Sequence, residues 1–181
     1  MEAGTDTTTR GLYKYSFGRW IVCSLAFVCF ASVGFGQIQD EPAPPPIKML
    51  SKTERTLLSQ KPQLKERTSL ALDLMDARMR SAEKFCADEN YSLMYAELGG
   101  FQALIDNTLA YLLKAKNDEG KQLNSLKKFE IGLRTFTPRI ESLRRELPSN
   151  FEPYVKYLII YVSDTREKAI EPFFSNSVIS N

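Results

Sequence analysis

The sequence contains no histidine among its 181 residues. Histidine is the usual general base of enzymes, a common metal ligand, and the side chain whose charge ordinarily changes near neutral pH. Its absence excludes a Ser-His-Asp triad and the Glu-x-x-His motif of di-metal helical proteins. It also excludes haem attachment through Cys-x-x-Cys-His.

Cysteine is almost as scarce, since Cys23, Cys29 and Cys86 are its three occurrences. The first two lie in an apolar N-terminal segment and would be lost if that segment were cleaved off. One remaining thiol cannot close an intramolecular disulfide or supply the cysteine cluster of a zinc site. We predict that Cys86 is a small buried residue at a helix end; the alternative is a reactive thiol that pairs with another chain.

An excess of charge of one sign is also missing, because 24 basic and 22 acidic residues give a net charge of +2. A field this weak does not attract nucleic acid, and we predict no nucleic-acid partner. The basic residues between Lys114 and Arg145 are spread around a helix. They predict a solvated helix face, with a weakly basic surface for an anionic partner as the alternative.

The N-terminal segment has the pattern of a secretory signal. Arg10, Lys14 and Arg19 precede residues 20–35, which carry no charged side chain. Gly34 and Gly36 bracket Phe35 at the spacing of a cleavage site between Gly36 and Gln37. We predict a signal peptide over residues 1–36 and an exported protein, either periplasmic or extracellular. The alternative is an uncleaved membrane anchor formed by residues 20–35.

A proline-rich linker follows at residues 37–50. Four of the five positions from 42 to 46 are proline, which favours extended polyproline conformation and excludes a helix. The pattern predicts a spacer between the signal and the domain. A recognition motif is the alternative interpretation.

Hydrophobic residues spaced three or four apart predict helices from residue 51 onward. Ser51 and Glu54 have the spacing of a capping box, which opens a short helix to about Gln60. Four long helices follow, with Pro62 as the first residue of the first of them and Pro172 ending the last. Their predicted ranges are about 62–86, 88 or 90 to 116, 118–147 and 150–170.

The third long helix carries a heptad pattern. Leucine, isoleucine and phenylalanine alternate at spacings of three and four through Leu126, Phe129, Leu133, Phe136, Ile140, Leu143 and Leu147. Pro138 falls inside this pattern but on the opposite side of the helix. We predict one bent helix; the alternative is a break, with Thr137 capping a new helix at Pro138.

Short connections between long helices favour antiparallel neighbours. We therefore predict an all-α domain at residues 51–174, an antiparallel up-down four-helix bundle preceded by a short helix, with a flexible tail at 175–181. The nearly continuous apolar run 157–162 predicts a central position for the last helix. A buried strand is the rival interpretation of that run.

Three further features have both a structural and a functional interpretation. Gly99 and Gly100 predict close helix approach or a bend, against a role in binding. Asn90-Tyr91-Ser92 matches the glycosylation acceptor pattern. Two groups of tyrosines predict core packing with hydroxyls at the rim, against an exposed aromatic groove: Tyr91, Tyr95 and Tyr111, and Tyr154, Tyr157 and Tyr161.

The carboxylates at Asp73, Asp76, Glu83 and Glu97 have ordinary surface spacing. No calcium loop or glycine-rich phosphate loop occurs in the sequence. We therefore predict no catalytic residue, no cofactor and no metal site, and a protein that is not an enzyme.

The sequence predicts an exported interaction or structural module that acts through the surface of its helices. The expected partner is another envelope or secreted protein, and the expected state is a monomer or weak homo-oligomer. A carrier or sensor of small apolar ligands, with a cavity between aromatic-lined helices, is one alternative. A membrane-tethered envelope protein with an uncleaved anchor is the other.

Overall fold

The computed structural model describes residues 41–115 and 119–175, and in these ranges the chain is all-helical, with no strand. The predicted signal segment lies outside the described residues. Six α-helices follow one another along the described chain: α1 Lys52–Ser59, α2 Leu64–Ala87, α3 Tyr91–Lys114, α4 Glu119–Arg134, α5 Thr137–Glu146 and α6 Glu152–Ser175.

Helix α1 begins with the predicted capping box. The Ser51 N–H donates to the Glu54 carboxylate at 2.7 Å, and the Glu54 N–H donates to the Ser51 hydroxyl at 3.1 Å. Two amides that have no partner within the helix are thereby satisfied. The next helix begins at Leu64, not at Pro62 as predicted. Gln63 is extended and forms its N-cap, so Pro62 stays outside the helix.

Helix α3 is the most deeply buried element, and every residue from Leu98 to Ile105 on it is buried. The prediction that the last helix is central is wrong. On α6, Tyr157 is 45% exposed and Ile160 is 61% exposed. Helix α6 packs against α3, α4 and α5, and the side that carries these two residues faces solvent. When a helix is apolar on all sides, its sequence does not reveal which face packs against other helices.

The predicted single bent helix at 118–147 is also wrong, because α4 ends at Arg134 and α5 begins at Thr137. Pro138 has no N–H to donate to the Arg134 carbonyl. The amides of Thr135 and Phe136 instead bond to carbonyls three residues back at 3.2 Å, which closes the last turn of α4. The alternative interpretation was correct about the break but not about the cap, since Phe136 is the N-cap residue and Pro138 lies in the first turn.

The hydrophobic pattern survives this break. The seam residues from Leu126 to Leu143 are buried on both sides of it, and Leu147 is half-buried. The rings of Phe101 on α3 and Phe136 at the break meet edge to face, with centroids 5.1 Å apart. The turn therefore redirects the backbone and keeps one continuous apolar stripe against α3.

Helix α6 also continues past its predicted end. Pro172 lies inside it, and the helix runs to Ser175, the first residue of the predicted tail. Buried Ala169 and partly buried Phe173 hold this last turn against the core on either side of the proline. At the other end of α6, Glu152 lies in the first turn of the helix. Its carboxylate binds Arg144 at 2.7 Å and Lys156 at 3.0 Å.

Contacts between side chains give the directions of the helices. Helices α2 and α3 are antiparallel, whereas α2 runs parallel to α4 and α5, and α6 is antiparallel to α4 and α5. The contacts that define these directions are Arg78–Glu97, Arg67–Asn107, Ser69–Lys128, Glu83–Arg139, Glu130–Arg166 and Arg144–Glu152. The core lies between these helices, and Leu58 of α1 is buried with it.

Candidate functional site

Residues 43–50, here called the strap, cross the surface of the helices without forming a helix, strand or turn. The prolines among them favour an extended conformation. The Ala43 N–H donates to the Asn150 carbonyl at 2.8 Å, just before α6. Ala43 and Leu50 pack against the core at the two ends of the strap. The lack of a helix in the strap agrees with the proline content. The strap nevertheless lies on the domain, which differs from a spacer that only separates the domain from the signal.

Gly99 creates the space for the strap on α3. A Cβ at this position would lie 2.5 Å from the Ile47 carbonyl oxygen and 3.1 Å from the Pro46 Cβ. Any side chain here would therefore push the strap off the helix. The glycine pair does mark a close approach, as predicted, but at Gly99 the approaching group is the strap.

Gly100 accommodates the guanidinium of Arg78, which a Cβ would meet at 2.8 Å. Arg78 binds Glu54 through two hydrogen bonds of 2.7 and 2.9 Å and Glu97 through one of 2.9 Å. This ion pair joins α1, α2 and α3. Glu97, one of the four carboxylates considered from the sequence, thus links α3 to this ion pair.

Hydrogen bonds within this ion pair determine the charge states of Arg78 and Glu54. Hydrogen bonding to Glu54 raises the pKa of Arg78, and the bond to Glu97 adds to the shift. Burial alone would raise the pKa of Glu54, but the hydrogen bonds from Arg78 and Ser51 outweigh burial and lower that pKa. Both groups are therefore ionised at neutral pH, and their charges offset each other.

A cavity of about 650 Å³ lies between the strap and α3. Its wall is mainly apolar and includes Pro44, Pro46, Met49, Tyr95, Ala96 and Phe151. The Tyr95 and Phe151 rings meet edge to face at 5.0 Å, and the Tyr95 hydroxyl donates to the Phe151 carbonyl at 2.5 Å. Burial raises the pKa of Tyr95 to about 12, so its hydroxyl keeps its proton and remains a donor.

The tyrosines of α6 form a second aromatic row beside the strap. The ring centroids of Tyr154 and Tyr157 are 6.1 Å apart, and those of Tyr157 and Tyr161 are 5.9 Å apart. The Lys48 ammonium of the strap lies 5.6 Å from the centroid of the Tyr161 ring. Tyr154 is buried, but Tyr157 is 45% exposed, so this row runs from the core to the surface.

Helix α3 holds two of these hydroxyls. The Tyr154 hydroxyl donates to the Gln102 side-chain oxygen at 3.0 Å, and the Gln102 side-chain nitrogen donates to the Tyr157 hydroxyl at 3.3 Å. The Tyr161 hydroxyl donates to Asp106. Burial is the main cause that raises the pKa values of Tyr154 and Tyr161. These hydroxyls therefore serve as neutral hydrogen-bonding groups.

The first tyrosine group does not assemble into one site. Tyr91 and Tyr95 both contact Phe151, with centroid distances of 5.2 and 5.0 Å. Tyr111 lies near the other end of α3, where its hydroxyl donates to the Pro62 carbonyl at 2.6 Å. The Arg67 guanidinium stacks over its ring at 4.0 Å.

Cys86 is 4% exposed, which confirms its prediction as a buried residue. Its sulfur lies 3.9 Å from the Glu146 carboxylate. Burial raises the pKa of the thiol, and the negative charge of Glu146 raises it further. Since thiolates are the reactive form, this environment suppresses reactivity.

The remaining charged residues considered from the sequence belong mainly to ion pairs. Arg139 binds Glu83 at 2.6 and 2.7 Å and Asp76 at 2.5 Å, which joins α2 to α5. Acidic partners also bind Arg134 and Arg144, so the charges of Arg134, Arg139 and Arg144 in the basic stretch are neutralised locally. Asp73 is exposed.

Asn90 caps α3, where its side-chain oxygen accepts from the Leu93 N–H at 3.3 Å.

Within residues 41–115 and 119–175, no cluster of acidic and cysteine side chains has the arrangement of a metal site. None of the helices in these ranges combines the length and hydropathy that a membrane span requires. No protein-family model, curated protein or solved structure matches the chain. The strap, its cavity and the exposed side of α6 are accordingly the features from which a function can be argued.

The sequence indicated that the proline-rich segment and Gly99 are special, but it did not indicate that they contact each other. A glycine inside a long helix lowers its stability unless a close contact requires it. Among the described residues, the proline-rich segment is the non-helical stretch that precedes the helices. The two signals together could have predicted a strap on α3, although not its route.

Proposed function

We propose that this chain is an exported, non-enzymatic interaction module. Its domain is an antiparallel four-helix bundle, with α4 and α5 together forming one of the four helices and α1 preceding them. The helix directions support this arrangement. The proposed partner is another envelope or secreted protein.

The observation that carries the proposal is a set of exposed apolar side chains on two neighbouring segments, here called the strap face. It consists of Ile47 and Met49 of the strap and Tyr157 and Ile160 of α6, which are 45 to 81% exposed. The contact between Lys48 and Tyr161 brings the strap to α6. Single exposed apolar residues are normal on soluble proteins. Several exposed apolar residues on two neighbouring segments favour an interaction surface.

Export is supported by the sequence of residues 1–36, which has the order of a secretory signal. If the signal is cleaved after Gly36, the domain is released into the periplasm or the extracellular space. If residues 20–35 are retained as an anchor, the same strap face acts at a membrane surface. The intact mass of the purified protein shows whether residues 1–36 have been removed and so separates these two outcomes.

The interaction proposal is tested by placing a photo-crosslinking residue at Ile160 in cells that express the chain. Its matched control is the same residue at exposed Asp73 on α2, outside the strap face. We expect a discrete adduct from position 160 and none of the same mass from position 73. Equal adducts at both positions, or none at either, contradict the proposal.

A second candidate function is that of a small-ligand carrier, which the cavity of about 650 Å³ beneath the strap favours. It lies between the strap and α3, not between helices, but its wall is mainly apolar. Apolar compounds such as fatty acids should then raise the melting temperature. Ala96→Trp, which fills the cavity, should abolish that rise, and Ala77→Trp on the exposed side of α2 should retain it.

A further inference from the structure

The groove beneath the strap, here called the strap seat, has the features of a site for an extended peptide. Its parts are the Asn150 carbonyl, the notch at Gly99 and the rings of Tyr95 and Phe151. Proline-rich segments characteristically bind to grooves lined by aromatic rings, because their extended conformation is preformed. The chain's own proline-rich segment occupies this seat.

The strap is held by few contacts. The Ala43 amide donates to the Asn150 carbonyl, and Ala43 and Leu50, at the two ends of the strap, pack against the core. Pro44 and Pro45 are exposed, and Ile47 is 81% exposed. Segments with so little buried apolar surface open at low free energy. Release of the strap therefore leaves the helical core intact.

The strap also fills its seat incompletely, since the cavity of about 650 Å³ remains between it and α3. Shape complementarity between bound segments and their grooves contributes to affinity. A segment with the same backbone path and bulkier apolar side chains would bury more of Phe151 and Ala96 than the strap does.

The chemistry of the seat selects a peptide over an anionic ligand. Arg78 is the cationic group in its wall, and Glu54 and Glu97 already bind its guanidinium. The Asn150 carbonyl accepts a backbone N–H, and the Gly99 notch accommodates a backbone carbonyl.

We propose that the strap seat binds an extended, proline-containing segment of a partner protein, in competition with residues 43–50 of the chain itself. This inference rests on the proposed interaction function and names the chemistry of the partner. The strap is covalently linked, so its effective concentration is on the order of millimolar, and the free seat is a minor state. Weakening the strap must then tighten binding of a free peptide.

The test uses the full chain and a fluorescein-labelled peptide of residues 41–50, Glu-Pro-Ala-Pro-Pro-Pro-Ile-Lys-Met-Leu, in an anisotropy titration. Ala43→Pro removes the strap N–H that reaches Asn150 and keeps the extended conformation. Ala43→Ser is the matched control, because it keeps that N–H. We expect Ala43→Pro to bind the peptide about threefold to tenfold more tightly than Ala43→Ser, the effect of losing one hydrogen bond from the competing strap.

A second variant separates the seat from other exposed surfaces. Gly99→Ala also expels the strap, but its methyl group occupies the notch that the peptide needs. The double variant Ala43→Pro, Gly99→Ala should therefore lose the gain in affinity while keeping its helical circular dichroism. An equal affinity of Ala43→Pro and Ala43→Ser overturns the proposal, and so does a gain that persists in the double variant.

Occupation of the seat by a second copy is a separate outcome. It would appear in sedimentation as a dimer of the unaltered chain that Gly99→Ala abolishes, and it would overturn the proposal of a partner segment. A failed peptide titration together with a discrete crosslink from Ile160 rejects the seat and leaves the interaction function standing. Failure of the crosslink with successful peptide binding rejects the strap face instead.

Discussion

The Ile47 carbonyl oxygen lies so close to α3 that a single methyl group on Gly99 would approach it to 2.5 Å. Real Cβ atoms essentially never come this near a backbone oxygen. Gly99 therefore makes room for a segment about fifty residues away in sequence, and its replacement tests the strap directly.

Gly99→Ala should release the strap while the helices remain folded, because alanine has the higher helix propensity and the clash is confined to the strap. Trypsin cleavage after Lys48 should accelerate severalfold in this variant, as measured by mass spectrometry of early digestion products. Gly120→Ala, an exposed glycine of α4, is the control and should leave the rate unchanged. Unchanged cleavage in Gly99→Ala would show that the strap is not held at this notch.

Arg78→Met should destabilise the domain by about 2–4 kcal/mol, since it leaves a mostly buried Glu54 carboxylate without its cation. The free energy of unfolding from urea titration measures the loss. The double variant Arg78→Met, Glu54→Gln has no unpaired carboxylate charge, so it should recover part of the lost stability. A double variant as unstable as the sum of the two single variants would exclude coupling between these residues.

Glu130 should contribute to the acid sensitivity of the fold. Its hydrogen bond from Arg134, together with the bond from Arg166, lowers its pKa below the ordinary value of 4.5, against the opposing effect of burial. A lowered pKa in the folded state stabilises the protein above pH 4.5, and this contribution disappears as the pH falls through the folded-state pKa.

The matched comparison is Glu130→Gln, which keeps the shape of the side chain and removes its charge. We expect the unaltered chain to be more stable than Glu130→Gln at pH 6 and the difference to shrink below pH 4.5. Urea titrations at several pH values measure this convergence. A difference that stays constant from pH 6 to pH 3 would mean that the Glu130 charge does not support the fold.

Cys86 should react slowly in the native state, because burial and Glu146 both raise its pKa. Alkylation by iodoacetamide at pH 8, followed on the peptide that contains Cys86, should be at least tenfold slower in buffer than in urea. Glu146→Gln removes one of the two causes and should accelerate the native reaction modestly. Rapid native alkylation would contradict the buried position of the thiol.

Helical periodicity and capping patterns predicted the local structure well, because both are set by neighbours along the chain. The Ser51 capping box formed as expected, and the Asn90 cap begins α3. The break near Pro138 was harder to predict. The seam residues stay buried whether the helix bends or breaks, so their spacing cannot distinguish the two.

Contacts between distant segments were beyond the reach of these patterns. The docking of the strap depends on Gly99 and Asn150, which are separated from it by about 50 and 100 residues. The exposure of Ile160 depends on which helices surround α6, and its own sequence is apolar on nearly every side. Likewise, the ion pairs of Arg78 and Arg139 combine residues whose spacing along the chain is unremarkable.

The docked strap also sets a length. If residues 20–35 are retained in a bilayer, residues 36–42 alone connect the anchor to the first docked residue, and they reach about 25 Å when fully extended. With the strap released, residues 36–50 reach about 50 Å. Binding of another segment in the strap seat would then double the largest distance that the linker allows between the bilayer and the domain.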